Sequence, residues 1–379
     1  MNEFICEFSL GDTDGLTIAI DATIDAAAYP TTRSSQALAA SLPAAENAEV
    51  VERLLTAGWH VIGKTTTQEL AFGASGINAV TGTPENPQDA QLMPGGASSG
   101  GAAAVGFYLS DAAIGSDSDG GVRLPAACCG VIGMKPTFGR VSRAGVAPTQ
   151  STLECIAPTS REMLTLIDVM AAITPDFDDM LAYSTPSAIR LGMVNVDALP
   201  VINAAVRAAP TLMEWRTTMF NLSHFDAASK AAATVHDSEM WETFGHLLIP
   251  GKLSKTIDTQ LRWAAETSPH DLAIAHAVRA SFSAELDAAF EHVDAIILPA
   301  MPTLPFNLTQ AAMTEPSAMS SLASLSSFLR PFNLTGHPSI TLPLPLCDSP
   351  MMTGLQIVGR KGEDELLCAL ASQFEAALR

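Results

Sequence analysis

The sequence predicts an α/β fold, because strand-like and helix-like segments alternate along its first half. Between residues 16 and 150, short apolar runs of strand length alternate with longer amphipathic or alanine-rich segments, as in a sheet covered by helices. The 379 residues are 47% hydrophobic and only 16% charged, a balance typical of a globular protein with a large core. The alternation indicates the class of fold but does not specify the architecture.

Composition argues against several classes of protein. The formal net charge of −20 argues against nucleic-acid binding, which needs a basic face. No segment approaches 18 uninterrupted apolar residues, and the N-terminus lacks the basic and apolar parts of a signal peptide. The six cysteines show no CxxC spacing, which is typical of a reduced protein. We therefore expect a cytoplasmic protein that binds neither nucleic acid nor membranes, and whose acidity serves solubility.

Local patterns predict the elements of the first part of the chain. An apolar run that ends in Asp21 indicates a buried strand, and Val50, Val51 and Leu54 share one face of an amphipathic helix. The predicted elements are a strand over 16–20, helices over 34–40 and 44–57, a strand over 59–62, a helix beginning at 102 and a strand over 112–114.

Apolar periodicity also predicts the elements of the second part of the chain. A helix is predicted over 159–173, with Met163, Leu166 and Met170 turned inward as core residues. The remaining predictions are a strand from 190, a mostly helical region over 200–285, and strands within 294–302 and 354–359.

Two glycine-rich loops are the most unusual feature of the sequence. Residues 95–101 read GGASSGG and open an alanine-rich run, and residues 115–121 read GSDSDGG. A glycine-rich turn at a helix N-terminus gathers unpaired backbone N–H groups around one point. Two such loops facing each other would form a backbone pocket that suits an oxyanion or a carboxylate.

The stretch from 95 to 137 resembles the amidase signature family of amide hydrolases, fatty-acid amide hydrolases and the A subunit of the tRNA-dependent amidotransferase. The family pattern GGSSGGSAAAV lies over 95–105, and GTDTGGSIRxPAxxCGxxGxKPT lies over 115–137 without a gap. Weaker matches extend from residue 16 to the C-terminus, including RPFNLTGHP at 330–338.

The resemblance implies the architecture that alternation alone does not specify. It implies a single amidase-signature domain over 1–379, with a central mixed β-sheet flanked by helices on both faces. Within it, 16–150 would form the Gly/Ser-rich core with the site, 200–285 the variable helical region of the substrate funnel, and 290–379 the C-terminal part of the same core.

The same alignment implies that the family's Ser-Ser-Lys triad is missing. The nucleophile is the serine of GGSIR, and this chain has Gly121 there. The bridging serine, held by a cis peptide, is the first serine of GGSSGG, and this chain has Ala97 there. The lysine of the upstream PxxxKD segment corresponds to Asp21. The smaller side chains at 97 and 121 are expected to enlarge the floor of the pocket.

Two functions remain open. The favoured hypothesis is a pseudoenzyme of the amidase family that has lost amide hydrolysis. It would bind a small amide or carboxylic acid, or act as a partner or regulatory subunit, with a protein partner or a homo-oligomer expected. The alternative is an active amide hydrolase that uses a relocated serine of the two loops.

Charge and the lack of a base argue against the alternative. The loop serines, Ser98, Ser99, Ser116 and Ser118, have no evident base in the sequence. Asp21 is expected to be a solvated carboxylate whose pKa of about 4 makes it a weak base. Asp119 stands where the family has glycine, beside N–H groups that the family uses for the oxyanion, and would oppose anion stabilisation.

The candidate ligand-binding residues lie in the two loops and just after them. They are Ser98, Ser99, Asp117, Ser118, Asp119, Gly120 and Arg123. No cofactor is expected, and the eight histidines show no metal-binding spacing. Convergence of Asp21, Asp117 and Asp119 on Ca²⁺ or Mg²⁺ stays open as a further alternative.

Three other reactive side chains are assigned no chemistry. Lys64 matches a GKT lysine that is not catalytic in the family, and no Walker spacing precedes it. Cys128 and Cys129 follow the second loop and are expected to be buried, as small apolar residues are.

Overall fold

The computed structural model describes residues 2–213, 215–347 and 349–378, and in it one mixed sheet of eleven strands runs through the molecule. The strands are β1 (Phe4–Leu10), β2 (Thr17–Asp21), β3 (His60–Thr65), β4 (Ala112–Asp117), β5 (Ile132–Lys135), β6 (Cys155–Ser160), β7 (Arg190–Val194), β8 (Arg216–Phe220), β9 (Ala295–Pro299), β10 (Ser339–Pro345) and β11 (Met352–Val358). Their order across the sheet is β1-β3-β2-β4-β6-β5-β10-β11-β9-β7-β8. Strand β2 is parallel to β3 and β4, and β7 is parallel to β8 and β9, whereas the other neighbours are antiparallel.

Helices join and cover these strands. They are α1 (Glu49–Thr56), α2 (Ser99–Gly106), α3 (Arg123–Cys129), α4 (Met163–Ile173), α5 (Asp179–Ala182), α6 (Pro200–Ala208), α7 (Phe225–Phe244), α8 (Lys255–Ala264), α9 (Pro269–Phe290), α10 (Leu308–Ala311), α11 (Pro316–Ser324), α12 (Arg330–Thr335) and α13 (Asp364–Leu378). In the part of the chain that the structure describes, no helix has the length and apolar character to cross a membrane.

Alternation along the strands sends side chains into cores on both faces of the sheet. In β2, Ile18 and Ile20 pack with residues of α1, α4 and α13, whereas Ala19 packs with residues of α2 and α3. In β9, Ile297 joins the first of these cores, and Ile296 faces a cluster that includes residues of α7 and α9. The predicted α/β fold, with a central mixed sheet flanked by helices on both faces, is therefore confirmed.

Two predicted helices of the first part differ from the structure. The prediction over 34–40 is wrong, since only a single 3₁₀ turn forms at Gln36–Leu38. The residues before it, Arg33 and Ser34, have φ of +50° and +52°, which no right-handed helix allows. The helix predicted over 44–57 begins only at Glu49.

Strand pairing explains the other differences. The helix predicted over 159–173 begins at Met163, because the preceding residues end β6, which is hydrogen-bonded to β4 and β5. The strand predicted over 112–114 continues to Asp117 for the same reason, so Ser116 belongs to the sheet and not to a loop. Strand β8 lies within the region 200–285, which is otherwise mostly helical as predicted.

Candidate functional site

The two glycine-rich loops meet at one edge of the sheet. Parallel strands β2 and β4 end at Asp21 and Asp117, so both carboxyl ends point to the same edge. The Ser98 N–H donates a hydrogen bond to the Gly121 carbonyl at 2.9 Å, which holds the first loop against the second. The peptide bond between Gly96 and Ala97 is cis. The fold therefore brings together Asp21, Ala97 and Gly121, the positions that the resemblance aligned with the triad.

Asp21 is fully buried at the end of β2. Its Oδ2 accepts a hydrogen bond from Ser98 Oγ at 2.6 Å, and its Oδ1 accepts one from the Thr23 N–H at 2.9 Å. Burial raises the pKa of this carboxyl group even though both hydrogen bonds and the nearby Arg33 oppose the shift. The expectation of a solvated carboxylate with an ordinary pKa is therefore wrong, because neighbouring strands and the first loop exclude water from it.

The space beside Gly121 is already filled. A Cβ atom placed on Gly121 would lie 2.6 Å from the carbonyl oxygen of Ser116, far closer than a van der Waals contact. The expectation that glycine at this position enlarges the pocket floor is therefore wrong. The backbone of β4 occupies that volume.

Asp117 and Arg123 form a buried ion pair that holds the second loop. Arg123 Nη2 lies 2.8 Å from Asp117 Oδ1, and Arg123 Nε donates to Oδ2 at 3.0 Å. Asn333 of α12 donates to Asp117 Oδ1, Arg123 donates to Gln356 of β11, and the Gly120 N–H also donates to Asp117. Burial opposes ionisation of Asp117, but the charge and hydrogen bonds of Arg123, the hydrogen bond from Asn333 and the charge of Lys135 together outweigh burial and lower the pKa of Asp117. These groups bind one another and fix the loop in place.

A cavity of about 510 Å³ opens beside the two loops. Its walls come from residues 68–79 and from helices α7, α8 and α11. The apolar residues of the lining include Phe72, Ile257, Trp263, Met319 and Leu322. The N–H of Gln68, another lining residue, donates to the Ala97 carbonyl at 2.9 Å, which ties the wall to the cis peptide.

Five charged or titratable residues lie in the lining of this cavity: Asp119, His236, Asp237, Arg330 and the exposed Lys255. Arg330 Nε lies 3.0 Å from Asp119 Oδ1, so an ion pair compensates the Asp119 charge that the sequence predicts to oppose anion stabilisation. His236 Nε2 lies 3.1 Å from Ser118 Oγ. Burial raises the pKa of Asp237 to about 6; His236 and Arg330 oppose this shift, and Asp119 adds to it. The expectation that no loop serine has a base is thus wrong for Ser118.

The structure separates the predicted ligand-binding residues into two groups. Asp119 lines the cavity, and Ser118 contacts a lining residue. The others are buried within the two loops and their network: Ser98, Ser99, Asp117, Gly120 and Arg123. Sequence reasoning missed His236, Asp237 and Arg330 as site residues. Only Arg330 carried a local signal, since it begins the RPFNLTG segment.

The alternative of a cation site is wrong. Asp21, Asp117 and Asp119 do not converge, since their respective partners are Ser98, Arg123 and Arg330. Over residues 2–213, 215–347 and 349–378, no group of three or more His, Cys, Asp or Glu side chains could hold a metal ion.

The remaining reactive side chains lie within the protein's own packing. Lys64 Nζ donates to the Pro30 carbonyl at 3.0 Å and to Thr31 Oγ1 at 2.9 Å, and burial lowers the pKa of Lys64 to about 8. Cys128 and Cys129 are buried, as predicted, and burial raises the pKa of both thiols.

Comparisons with known proteins show which family the chain resembles and which solved structures share its fold. A family model described as Amidase matches residues 8–368. The A subunit of the glutamyl-tRNA(Gln) amidotransferase from Halobacterium salinarum is 32% identical over 425 aligned positions, covering 98% of this chain and 99% of the relative.

Solved structures share the fold. A crystal structure described as an amidase superposes with a TM-score of 0.83 at 26% identity, covering 96% of this chain and 85% of the other. The structure of a 6-aminohexanoate cyclic dimer hydrolase gives a TM-score of 0.90 at 22% identity, covering 100% of this chain and 90% of the other. At that identity the second likeness concerns the fold alone.

Proposed function

This chain is a member of the amidase family, and we propose that it binds a small amide or carboxylic acid in the 510 Å³ cavity without hydrolysing it by Ser-Ser-Lys chemistry. The observation that carries the proposal is the environment of the three triad-aligned positions. Ala97 and Gly121 supply no hydroxyl group, and Asp21 supplies a buried carboxyl group.

Ser98, the hydroxyl next to these positions, does not compensate for the loss. It donates to Asp21 at 2.6 Å, but its side chain is 4% exposed and does not line the cavity. A nucleophile must come within about 3–3.5 Å of the reacting carbon. A ligand in the cavity therefore does not meet the Ser98 hydroxyl in a reactive geometry.

One observation favours the second candidate function, hydrolysis by a relocated serine. Ser118 Oγ lies 3.1 Å from His236 Nε2, within hydrogen-bond reach of a histidine base. His236 also lines the cavity, so this pair stands where a ligand could meet it. Ser118 is the serine to test.

We expect no hydrolysis of a panel of primary amides and anilides by the purified protein. The panel would also be run on Ser118→Ala, with Ser98→Ala as the matched control in the other loop. Isothermal titration calorimetry with benzamide, benzoate and para-substituted benzamides would test binding, and we expect the native protein to bind at least one. Turnover that Ser118→Ala abolishes and Ser98→Ala retains would establish the second candidate instead. Failure of all these compounds to bind would overturn the proposed cavity function.

We also propose that the chain works with a protein partner or as a homo-oligomer. The relative from Halobacterium salinarum is named as one subunit of an amidotransferase, and this chain spans 99% of its length. The formal charge of −20 supports a role in which this chain does not itself bind nucleic acid, because an acidic surface repels phosphate groups.

A further inference from the structure

One carboxylate in the cavity has no partner of its own. Asp237 lies on α7 and lines the cavity, and among the described residues no hydrogen bond or ion pair to its side chain is found. The neighbouring acid Asp119 is paired with Arg330. The two carboxylates of the cavity therefore differ in what they can offer a ligand.

Of the two carboxylates that line the cavity, Asp119 has an ion-pair partner, whereas Asp237 has none among the described residues. Asp119 and Arg330 compensate each other, and the side chain next to Asp237 in the sequence, His236, contacts Ser118. Burial raises the pKa of Asp237 to about 6, so the group is mostly ionised at pH 7.5 although its surroundings disfavour the charge. A ligand cation would stabilise that charge, because a carboxylate in poorly solvated surroundings gains most from a charge-assisted hydrogen bond.

The cavity walls suit an apolar ligand body. Phe72 and Trp263 supply aromatic surface, and Ile257, Met319 and Leu322 supply aliphatic surface. Aromatic faces also attract cations, so these walls do not disfavour a ligand that carries positive charge.

We propose that the ligand of this cavity carries a protonated amine or amidinium group that pairs with Asp237, joined to an apolar body that contacts Phe72 and Trp263. The inference rests on the proposed function and names the ligand class of the same site. The ligand is thus an amide or acid that also bears a cationic nitrogen.

A purely anionic ligand fits this cavity less well. Arg330 already pairs with Asp119 and donates a hydrogen bond to the Ala323 carbonyl. Lys255 also lines the cavity, but it is exposed to solvent and so is screened. A ligand carboxylate near Asp237 would add like charge without gaining an unused buried cation.

Three para-substituted benzamides with a cationic, a neutral and an anionic substituent test the proposal: 4-(aminomethyl)benzamide, 4-methylbenzamide and 4-carboxybenzamide. They differ in the charge of one substituent, and binding would be measured by calorimetry at pH 7.5. We expect the aminomethyl probe to bind the native protein about 10- to 100-fold more tightly than the methyl probe, the range of one charged hydrogen bond.

Two variants test whether Asp237 causes the preference for the aminomethyl probe over the methyl probe. Asp237→Asn keeps the shape of the side chain, and we expect it to bind the aminomethyl and methyl probes about equally. Asp226→Asn removes the same charge from an exposed position on the same helix and should keep the preference. Unchanged thermal melting of both variants would show that the fold is intact.

The outcomes separate this inference from the function on which it rests. If the methyl or carboxy probe binds the native protein as tightly as the aminomethyl probe, the cavity function stands and the inference is overturned. The same holds if Asp237→Asn keeps the preference. If neither these probes nor benzamide and benzoate bind, both proposals are overturned.

Discussion

Asp21 shows how burial decides what a carboxyl group does. In the sequence it is one acid among forty Asp and Glu residues, aligned with a lysine of the family. In the fold it is enclosed at the end of β2 and hydrogen-bonded to Ser98 and Thr23, and burial raises its pKa. The surroundings of Asp21 include the buried Arg33, whose positive charge opposes that rise in pKa.

These surroundings predict that a lysine at position 21 is costly to stability. Asp21→Lys would bury an ammonium group near Arg33, and we expect it to lower the free energy of unfolding by about 3–5 kcal/mol. The control Asp21→Asn keeps the size of the side chain and a partner for Ser98, and should cost about 1–2 kcal/mol. Urea denaturation at pH 7 would measure both. Equal stability of Asp21→Lys and the native protein would show that the site still accepts a lysine.

Strands β4 and β6 and the second glycine-rich loop form one connected element around buried charges. Glu154, immediately before β6, is buried and close to Ser116 at the end of β4. Burial raises the pKa of Glu154 to about 8, although Arg33 opposes the shift. The packing of this element therefore depends on which groups are ionised.

Glu154 predicts a pH dependence of stability. The pKa of Glu154 is raised above the ordinary value of 4.5. Its contribution to the free energy of unfolding is therefore fully present below about pH 4.5 and is lost as the pH rises through about 8. Glu154→Gln cannot ionise, so its free energy of unfolding relative to the native protein should rise by on the order of 4 kcal/mol between pH 5 and 9.

Chemical denaturation at several pH values would measure this difference. The matched control is Glu266→Gln, which removes an exposed carboxyl group just after the end of α8. If the free energy of unfolding varies with pH in the same way in Glu154→Gln and in the control, the pH dependence does not come from Glu154.

At the scale of the whole molecule, the sheet joins distant parts of the chain into one body. Strand β10, from the C-terminal part, pairs with β5 from the first part, and Arg123 donates to Gln356 across the same region. The loops that form the site are held by residues far away in the sequence.

The proposed partner is tested by the mass of the protein in solution. We expect the recombinant chain alone to exceed its 39.6 kDa monomer mass if it is a homo-oligomer. Otherwise we expect the chain isolated from its native host to carry a stoichiometric partner. Size-exclusion chromatography with light scattering would measure both. A monomer mass in both preparations would contradict the proposal.

The sequence by itself determined the family, the α/β class and the position of the two loops. The family followed from the resemblance of residues 95–137 to the family's motifs, whereas the class and the loops followed from glycine-rich turns and alternating apolar runs, which are local patterns that dictate the backbone directly. The burial of Cys128 and Cys129 was also predictable, since both follow a loop that leads into packed structure. Local patterns failed where strand pairing decided the structure. Residues 159 and 160 are predicted to begin a helix, but they belong to β6 and are hydrogen-bonded to β4 and β5.

Only the tertiary structure decided which side chains meet. Ser118 and His236 are 118 positions apart, and the Asp119–Arg330 pair is joined only because α12 packs beside the second loop. It also decided that Asp21 is enclosed and that the Ser116 carbonyl fills the space beside Gly121. The physical reason is that burial and charge pairing depend on distances between elements, and no local pattern of residues encodes those distances.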